Sequence, residues 1–276
     1  MELKFGWENL EVGDTSIQAF MSSYVQTENS APAVVLVQEV WGVNDHMEDV
    51  AIRLAKAGYS VVAPDLLSLG GLRPHEASFE RVEEIKGVID TLGFAVFADE
   101  QKRQEAFKDM DPELVSRLIK TQEVVFSQMG KRTQYVETIK SIIAGCKANN
   151  SSRKVGAVGF CMGGGIVSTL VCSDSKLDVG VSFYGSVPTE DIMDKIGCPL
   201  LGIYAGEDPG VNSGIEPFRS KVKEVNGDYR TVIYPKVLHG FNNDTRPAYS
   251  IDAARDAWAR TLTMLSEFLG ENYADA

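Results

Sequence analysis

Short apolar runs alternate with amphipathic segments along most of the chain. The β-branched run Ala33–Val37 and the run 59–63, which Pro64 ends, are typical of strands buried on both faces. Residues 3–25 predict an extended hairpin that turns at Gly13. Further strands are predicted at 154–159, 179–184, 199–204 and 230–234, and helices at 45–56 with Asp45 as N-cap, 133–147, 162–172, 215–225 and 251–269.

This alternation predicts an α/β fold, with a mostly parallel central sheet flanked by helices on both faces. We expect residues 1–276 to form one domain of this kind. The segment 66–130 departs from the alternation because it is polar, charged and largely helical, with breaks at Pro74 and Pro112. We predict that it is an inserted lid or cap without an apolar core of its own. In parallel sheets, functional residues follow the carboxyl ends of the strands.

Composition narrows the classes of function. The chain has 39 acidic and 27 basic residues, a net charge of −12, which disfavours binding to nucleic acid or to anionic membrane surfaces. It contains no run of about 18 apolar residues and opens without a signal sequence. Its four cysteines form no C-x-x-C pair and have no histidine cluster nearby, which argues against zinc or iron–sulfur sites. We therefore expect a cytoplasmic protein with reduced thiols and no metal site.

A glycine-rich stretch carries the pattern Gly159-x-Cys161-x-Gly163 between a predicted strand and a predicted helix. This is the pattern of a nucleophile elbow with cysteine in place of serine, in which a strained turn tolerates only small neighbours. The turn places the thiol at a helix N-terminus, which favours the thiolate, and directs the Met162 N–H toward a developing oxyanion. The alternative is a buried structural cysteine. A dinucleotide-binding loop is a weaker interpretation, because Ser168 replaces the last glycine of that fingerprint.

A thiol nucleophile needs a general base, most often a histidine, and the chain has three histidines. His46 lies at a predicted helix start, and His75 lies in the insertion. His239 follows the predicted strand that ends at Tyr234, which places it at the carboxyl edge of the sheet. We predict that His239 is the base, with an ordinary surface-loop histidine as the alternative.

The third member of a catalytic triad orients the imidazole and stabilises its charged form. Asp208 follows the predicted strand through Tyr204, and Glu207 beside it is the rival candidate. The chain order Cys161, Asp208, His239 matches the nucleophile–acid–base order of α/β-hydrolases. We therefore predict a triad of these three residues.

Glu39 and Val40 come just after the first buried strand. In α/β-hydrolases this loop supplies the second oxyanion donor, which here is the backbone N–H of Val40. A carboxylate at such an apolar position is costly unless it has a partner or a task. Three interpretations stay open: Glu39 accepts a proton from the thiol, Glu39 hydrogen-bonds the thiol and holds it away from the base, or backbone N–H groups or an arginine simply satisfy the carboxylate.

Five segments are spread across most of the chain. They are Gln38-Glu39-Val40-Trp41-Gly42, Ala63-Pro64-Asp65-Leu66, Gly159-Phe160-Cys161-Met162-Gly163-Gly164, Tyr204-Ala205-Gly206-Glu207-Asp208 and His239-Gly240-Phe241. In these segments and their order the sequence resembles the dienelactone hydrolase family, also called carboxymethylenebutenolidase. The resemblance implies an α/β-hydrolase fold, a triad of Cys161, Asp208 and His239, a substrate-responsive Glu39 that takes part in activating the thiol, and no cofactor.

Lactone-cleaving members of that family hold the substrate carboxylate with arginines, one after the Pro-Asp-Leu segment and one shortly after the histidine. Here Arg73 and Arg246 are the nearest candidates, in local sequences that differ from the family pattern, and Arg73 is our predicted substrate-binding residue. Asn242 and Asn243 stand directly after the histidine motif. Hydrolysis is therefore better supported than any particular lactone.

The predicted reaction is acyl transfer from a small-molecule ester or lactone through a thioester on Cys161. Trp41 and Tyr184, each at or just after a strand end, are predicted walls of the substrate pocket, with plain core packing as the alternative. A thioesterase or general carboxylesterase acting on another acyl group is the alternative function. A non-catalytic binding protein on the same scaffold is a third. We expect a monomer or a weak homodimer.

Overall fold

The computed structural model describes residues 1–148, 150–174 and 176–270, and within these ranges it contains one sheet of eight strands. Residues 149, 175 and 271–276 belong to the domain predicted from the sequence but lie outside the described part. The strands are β1 Leu3–Val12, β2 Thr15–Tyr24, β3 Ala33–Val37, β4 Ser60–Pro64, β5 Val155–Phe160, β6 Val179–Phe183, β7 Leu200–Ala205 and β8 Tyr229–Tyr234.

The strands lie side by side in the order β1-β2-β4-β3-β5-β6-β7-β8. β1 and β2 form an antiparallel hairpin in which Val12 pairs with Thr15, and β2 is antiparallel to β4. All other neighbouring strands are parallel, from β4 through β8. This mostly parallel sheet confirms the α/β fold that the sequence predicts.

Helices cover both faces of the sheet, as buried parallel strands require. The α-helices of the described residues are α1 Asp45–Lys56, α2 Phe79–Leu92, α3 Phe94–Ala98, α4 Glu100–Phe107, α5 Pro112–Ser127, α6 Arg132–Ala148, α7 Met162–Leu170, α8 Pro209–Asn212, α9 Ile215–Glu224 and α10 Ile251–Leu269. Within β3, Val34 and Leu36 face the layer that contains α1 and α10. Val35 and Val37 face α6, α7 and α9. Because alternate residues of a strand point to opposite faces of the sheet, β3 contributes side chains to two separate apolar layers.

The strands and helices predicted from the sequence outside 66–130 are present, with ends that shift by at most two residues. One local prediction is wrong: Asp45 is the first residue of α1, and Asn44 is its N-cap. Asn44 has extended backbone angles, and its side-chain oxygen accepts a hydrogen bond from the Met47 N–H at 3.4 Å. Asp45 lies in the first helical turn, where its charge is favourable for the helix dipole.

The insertion folds as four helices, α2 to α5, between short 3-10 turns at Leu66–Ser68 and Gln128–Lys131. The expectation that it lacks an apolar core is wrong. Its buried side chains form one cluster with Val40, Trp41 and Leu67: Ala77, Val82, Ile85, Ile89, Phe97, Phe107, Leu118 and Val125. The cluster extends to the loop after β3, so the insertion packs directly on the predicted site.

In the part of the chain that the structure describes, helices of sufficient length and apolarity to cross a membrane are absent.

Candidate active site

Four predicted catalytic residues and one predicted pocket residue follow the carboxyl ends of parallel strands. Glu39 follows β3, Cys161 follows β5, Tyr184 follows β6, Asp208 follows β7 and His239 follows β8. Because these five strands are consecutive neighbours in the sheet, their carboxyl ends lie along one edge. The sheet thus places residues that are far apart in the sequence along one rim.

Cys161 lies in a strained turn between β5 and α7. Its backbone angles, φ 53° and ψ −113°, are rare for any residue with a side chain. A Cβ at Gly159 would lie 2.2 Å from the Gly163 carbonyl oxygen, and one at Gly163 would lie 2.3 Å from the Val37 carbonyl oxygen. The turn therefore requires glycine at both positions, which is the geometry that the elbow pattern predicts. The thiol is half-buried at the N-terminus of α7.

His239 and Asp208 form a close hydrogen-bonded pair, with Nδ1 of the imidazole 2.5 Å from Oδ2 of the carboxylate. The Asp208 side chain is 14% exposed and the His239 side chain 40%, so the carboxylate is shielded while the ring stays accessible. Glu207 is exposed, and its backbone N–H donates to the Val237 carbonyl at 3.0 Å. The structure therefore brings Asp208, and not its rival, to the imidazole.

The electrostatics of His239 depend on the Cys161 sulfur. Burial by itself lowers the pKa of His239, but the negative charge of the Cys161 thiolate and hydrogen bonds to Asp208 and to the sulfur outweigh it. Together they raise the pKa of His239 from 6.5 to about 10. The Cys161 sulfur and the His239 imidazole are thus near neighbours, and the role of Cys161 as nucleophile stays a prediction.

The other two histidines have different surroundings. His75 is exposed in a short 3-10 turn of the insertion. His46 is buried in α1, where its Nδ1 lies 3.2 Å from Oδ1 of Asp244 and its ring packs edge-on against Phe160. Neither histidine pairs with Asp208, so the geometry agrees with the selection of His239 by its position after a strand.

Glu39 is buried, with 4% of its surface exposed, and each of its carboxylate oxygens accepts one hydrogen bond. The Tyr184 hydroxyl donates to Oε1 at 3.1 Å, and the Asn243 side-chain amide donates to Oε2 at 2.9 Å. Burial and the charges of Glu39 and Cys161 raise the pKa of Tyr184 well above its usual range, so the hydroxyl keeps its proton. The Tyr184 ring also lies 4.9 Å from the His239 ring. Tyr184 therefore contacts both the carboxylate and the base.

Val40 and Met162 are the predicted oxyanion donors. Within the described ranges, neither backbone N–H donates to a protein acceptor. The two loops are locked together, because the Gly163 N–H donates to the Gln38 carbonyl at 3.0 Å. The Gln128 side chain of the insertion donates to the Val40 carbonyl at 3.0 Å. These contacts hold the two loops in place with both N–H groups unused, as an oxyanion hole requires.

Trp41 packs between the insertion and the loop that follows His239. Its ring is 4% exposed, lies edge-on to Phe126 at 5.8 Å and has the Arg246 guanidinium 5.1 Å from its centroid. Arg246 also donates through Nε to Asp90 of α2 at 3.0 Å. Trp41 is therefore packed as a core residue next to Val40, and its role as a pocket wall stays a prediction.

Arg73, the predicted substrate-binding residue, is occupied by protein partners. Its Nε lies 2.5 Å from Oδ2 of buried Asp65, and its Nη2 donates to the Val43 carbonyl at 2.8 Å. The guanidinium also stacks 3.9 Å from the centroid of the Phe79 ring. In the structure Arg73 therefore fixes the loop after β3, and contact with a substrate stays a prediction.

Asn243 and Gln128 contact the site, and sequence reasoning did not select them. Asn243 is buried and bonds Glu39, and Gln128 is buried and bonds the loop of Val40. The sequence did contain one signal for Asn243, since it lies shortly after the His239 motif. Gln128 carries no such signal, because it reaches the site through the packing of the insertion.

The chain is similar to known proteins along most of its length. The sequence model of the dienelactone hydrolase family matches residues 20–269. Relatives of this chain carry the name "Putative carboxymethylenebutenolidase". The one from Saccharolobus solfataricus is 30% identical over 266 residues, which cover 90% of this chain and 93% of the relative. The one from Escherichia coli strain K12 is 26% identical over 277 residues, which cover 96% and 88%.

Solved structures share the fold. The crystal structure of a "Putative Dienelactone Hydrolase" from Klebsiella pneumoniae superimposes with a TM-score of 0.69 at 22% sequence identity. The match covers 97% of this chain and 100% of that protein. At this level of identity the likeness concerns the architecture of the sheet and its helices.

Proposed function

Because the chain belongs to the dienelactone hydrolase family and is a hydrolase of ester or lactone bonds, we propose that it cleaves a small-molecule substrate through a thioester on Cys161. The observation that carries this proposal is geometric: Cys161 lies in its strained turn at the sheet edge where Nδ1 of His239 lies 2.5 Å from Oδ2 of Asp208. The charge of Cys161 and the contact with Asp208 also raise the pKa of His239 to about 10. A thiolate beside a protonated imidazole is the reactive form of a cysteine nucleophile.

In the acylation step, the Cys161 sulfur attacks the carbonyl carbon and a C–S bond forms. The carbonyl electron pair moves to oxygen, where the N–H groups of Val40 and Met162 stabilise the negative charge. When the intermediate collapses, the C–O bond of the ester breaks. The leaving alkoxide takes a proton from His239, and Asp208 holds the ring in the required orientation.

In the deacylation step, neutral His239 accepts a proton from a water molecule that attacks the thioester carbonyl. The C–S bond breaks, and the thiolate leaves with its electron pair. The proton stays on the imidazole, which restores the ion pair with Cys161. The products are a carboxylic acid and an alcohol, or a hydroxy acid when the substrate is a lactone.

Glu39 has a supporting role in this proposal. The carboxylate is buried at the rim near the elbow, and Tyr184 interacts both with it and with Cys161. It accepts the thiol proton when Cys161 is not yet ionised: the S–H bond breaks, an O–H bond forms and the electron pair stays on sulfur. Glu39 thereby raises the fraction of reactive thiolate.

The decisive experiment replaces the nucleophile. For Cys161→Ala we expect turnover of a chromogenic ester to fall by at least about 10⁴-fold with little change in melting temperature. Cys146→Ala is the matched control, because Cys146 is also half-buried but lies in α6. Mass spectrometry of the quenched wild-type reaction should show the acyl mass on the peptide that contains Cys161.

Full activity of Cys161→Ala, or an acyl group on another residue, would reject the thioester. A panel of lactones, aryl esters and acyl thioesters with the same protein identifies the preferred bond. Faster hydrolysis of acyl thioesters than of oxygen esters would replace the ester or lactone assignment with thioesterase activity. A Cys161 that does not react with iodoacetamide, in a protein without any turnover, would support a binding protein instead.

A further inference from the structure

Asn243 has a fixed orientation beneath the site. It is fully buried in the loop after His239. Its Oδ1 accepts hydrogen bonds from the Thr245 N–H at 3.1 Å and from the Thr245 hydroxyl at 2.7 Å. Because two donors occupy the oxygen, the amide nitrogen must face Glu39, where Nδ2 lies 2.9 Å from Oε2. The side chain can therefore act on Glu39 only as a donor.

The carboxylate that Asn243 holds is unusual for a buried charge. The two donors to Glu39, Asn243 and Tyr184, are both neutral. Among the residues that the structure describes, Glu39 forms no ion pair, whereas buried Asp65 is paired with Arg73 at 2.5 Å. Buried carboxylates are normally paired with a cation, because hydrogen bonds alone compensate only part of the lost hydration. Glu39 is thus held in position by two neutral donors.

We propose that Asn243 is a positioning residue for thiol activation, which fixes the Glu39 carboxylate through a neutral donor instead of a cation. The inference rests on the proposed function, in which Glu39 takes the proton of Cys161. A guanidinium or ammonium at this place would also hold Glu39, but its charge would favour the ionised carboxylate and oppose proton uptake. A neutral amide keeps Glu39 in place as a proton acceptor.

The test measures Cys161 reactivity and turnover separately. In Asn243→Ala the carboxylate loses one of its two donors. We expect kcat/KM to fall about tenfold, through kcat rather than KM, and the alkylation rate of Cys161 by iodoacetamide at neutral pH to fall by a similar factor. Asn242→Ala is the matched control, because Asn242 is also a buried asparagine and makes no hydrogen bond to Glu39. We expect its activity to equal that of the wild type.

An isosteric variant separates positioning from folding. Asn243→Asp keeps the shape of the side chain and the acceptor for Thr245, but it turns the donor toward Glu39 into a second carboxylate. Two adjacent carboxylates share a proton, which blocks uptake of the thiol proton at neutral pH. We expect the pH profile of Cys161 alkylation to move to higher pH in this variant. An unchanged profile would overturn the proposal.

A double-mutant cycle decides whether Asn243 acts through Glu39. In a Glu39→Gln background we expect Asn243→Ala to cause no further loss, because the group that it positions has lost its charge. Equal losses in both backgrounds would overturn the inference and leave the thioester mechanism intact. Full alkylation and activity of Glu39→Gln alone would instead remove the role of Glu39 from the proposed function. The two failures are therefore distinguishable.

Discussion

The two carboxylates of the site, Glu39 after β3 and Asp208 after β7, have opposite kinds of partner. Asp208 lies 2.5 Å from the imidazole of His239, which becomes a cation when it takes up a proton. Glu39 accepts hydrogen bonds from Tyr184 and Asn243, which stay neutral at any physiological pH. The partner therefore defines the task that each carboxylate can perform. In the proposed mechanism Asp208 orients and stabilises a charged ring, and Glu39 takes up the proton of the thiol.

A third carboxylate shows what an ordinary buried acid looks like in this chain. Burial raises the pKa of Asp65, and the charge and hydrogen bond of Arg73 act against that increase. Its oxygens also accept from the N–H groups of Val43 and Leu67 at 3.4 Å. This pair is a structural contact that fixes the loop after β3. Among the residues that the structure describes, Glu39 has no such ion-pair partner, and its two donors are neutral.

The largest expected effect on activity within this comparison belongs to Asp208. For Asp208→Asn we expect kcat to fall by about 10²- to 10⁴-fold, because the amide can hold the imidazole in the wrong tautomer and no longer stabilises its charge. Steady-state kinetics on the best ester of the panel measures this loss. Glu207→Gln is the control, since Glu207 is adjacent but exposed. A similar loss in both variants would contradict the assignment of Asp208.

The second largest expected effect is a change in the pKa of His239 when the sulfur of Cys161 is removed. We expect its imidazole, followed by proton NMR, to titrate near pH 10 in the wild type and at a lower pH in Cys161→Ala. The reason is that the thiolate charge is a main contribution that raises this pKa, whereas burial lowers it. Exposed His75 serves as an internal control that should not move. An unchanged His239 titration would show that the sulfur and the ring do not interact.

The same shift makes stability depend on pH with a defined sign. The pKa of His239 is higher in the folded state, about 10, than the 6.5 expected for the unfolded chain. The folded state therefore binds this proton more tightly, and the stabilisation is fully present below about pH 6.5 and lost as the pH rises through 10. Chemical denaturation at several pH values should show a steeper alkaline loss for the wild type than for Cys161→Ala. Parallel curves would contradict this linkage.

A smaller effect is expected at Glu39. For Glu39→Gln we expect kcat/KM to fall by about 10- to 100-fold, less than for Asp208→Asn, because His239 remains as a proton acceptor for the thiol. The alkylation rate of Cys161 should fall as well, while the titration of His239 stays near its wild-type value. For Asp208→Asn we expect the pKa of His239 to fall, because the hydrogen bond and the charge of Asp208 help to raise it. An equal change of the His239 titration in both variants would contradict the division of tasks between the two carboxylates.

The sheet was predictable because its signals are local. β3 and α10 match the predicted bounds, since a β-branched apolar run and a long amphipathic run leave little choice of period. The core of the insertion was missed, although Val82, Ile85 and Ile89 have helical spacing. Because these helices also carry many charged residues, the segment has a polar overall composition, and the spacing of its apolar residues was overlooked. Helix–helix contacts within 66–130 create the core, and a sequence does not show which helices will meet.

The residues of the site also fall into a group that could be predicted from local signals and a group that could not. Cys161, Asp208 and His239 could be selected because parallel topology places every strand end at one edge. The partners of Glu39 could not, because they depend on how the loop after β8 folds back on the rim. The contact of Gln128 with Val40 spans 88 positions and depends on the packing of the insertion. Strand ends follow a general rule, whereas loop contacts are particular to this chain.

The smallest effect concerns the contact that ties the insertion to this rim. Arg246, in the loop after His239, pairs with Asp90 of α2, and both side chains are largely buried. For Asp90→Asn we expect a loss of about 1–3 kcal/mol in the free energy of unfolding, as for other hydrogen bonds to charged groups, and a change of only a few-fold in kcat/KM. Limited proteolysis should cut within 66–130 faster than in the wild type.

Glu267→Gln, which weakens the exposed pair with Arg230, is the control and should cost less than about 1 kcal/mol. A loss of activity as large as that of Glu39→Gln would mean that the insertion acts on the chemistry itself, and the contrast between the two carboxylates would then need a third participant.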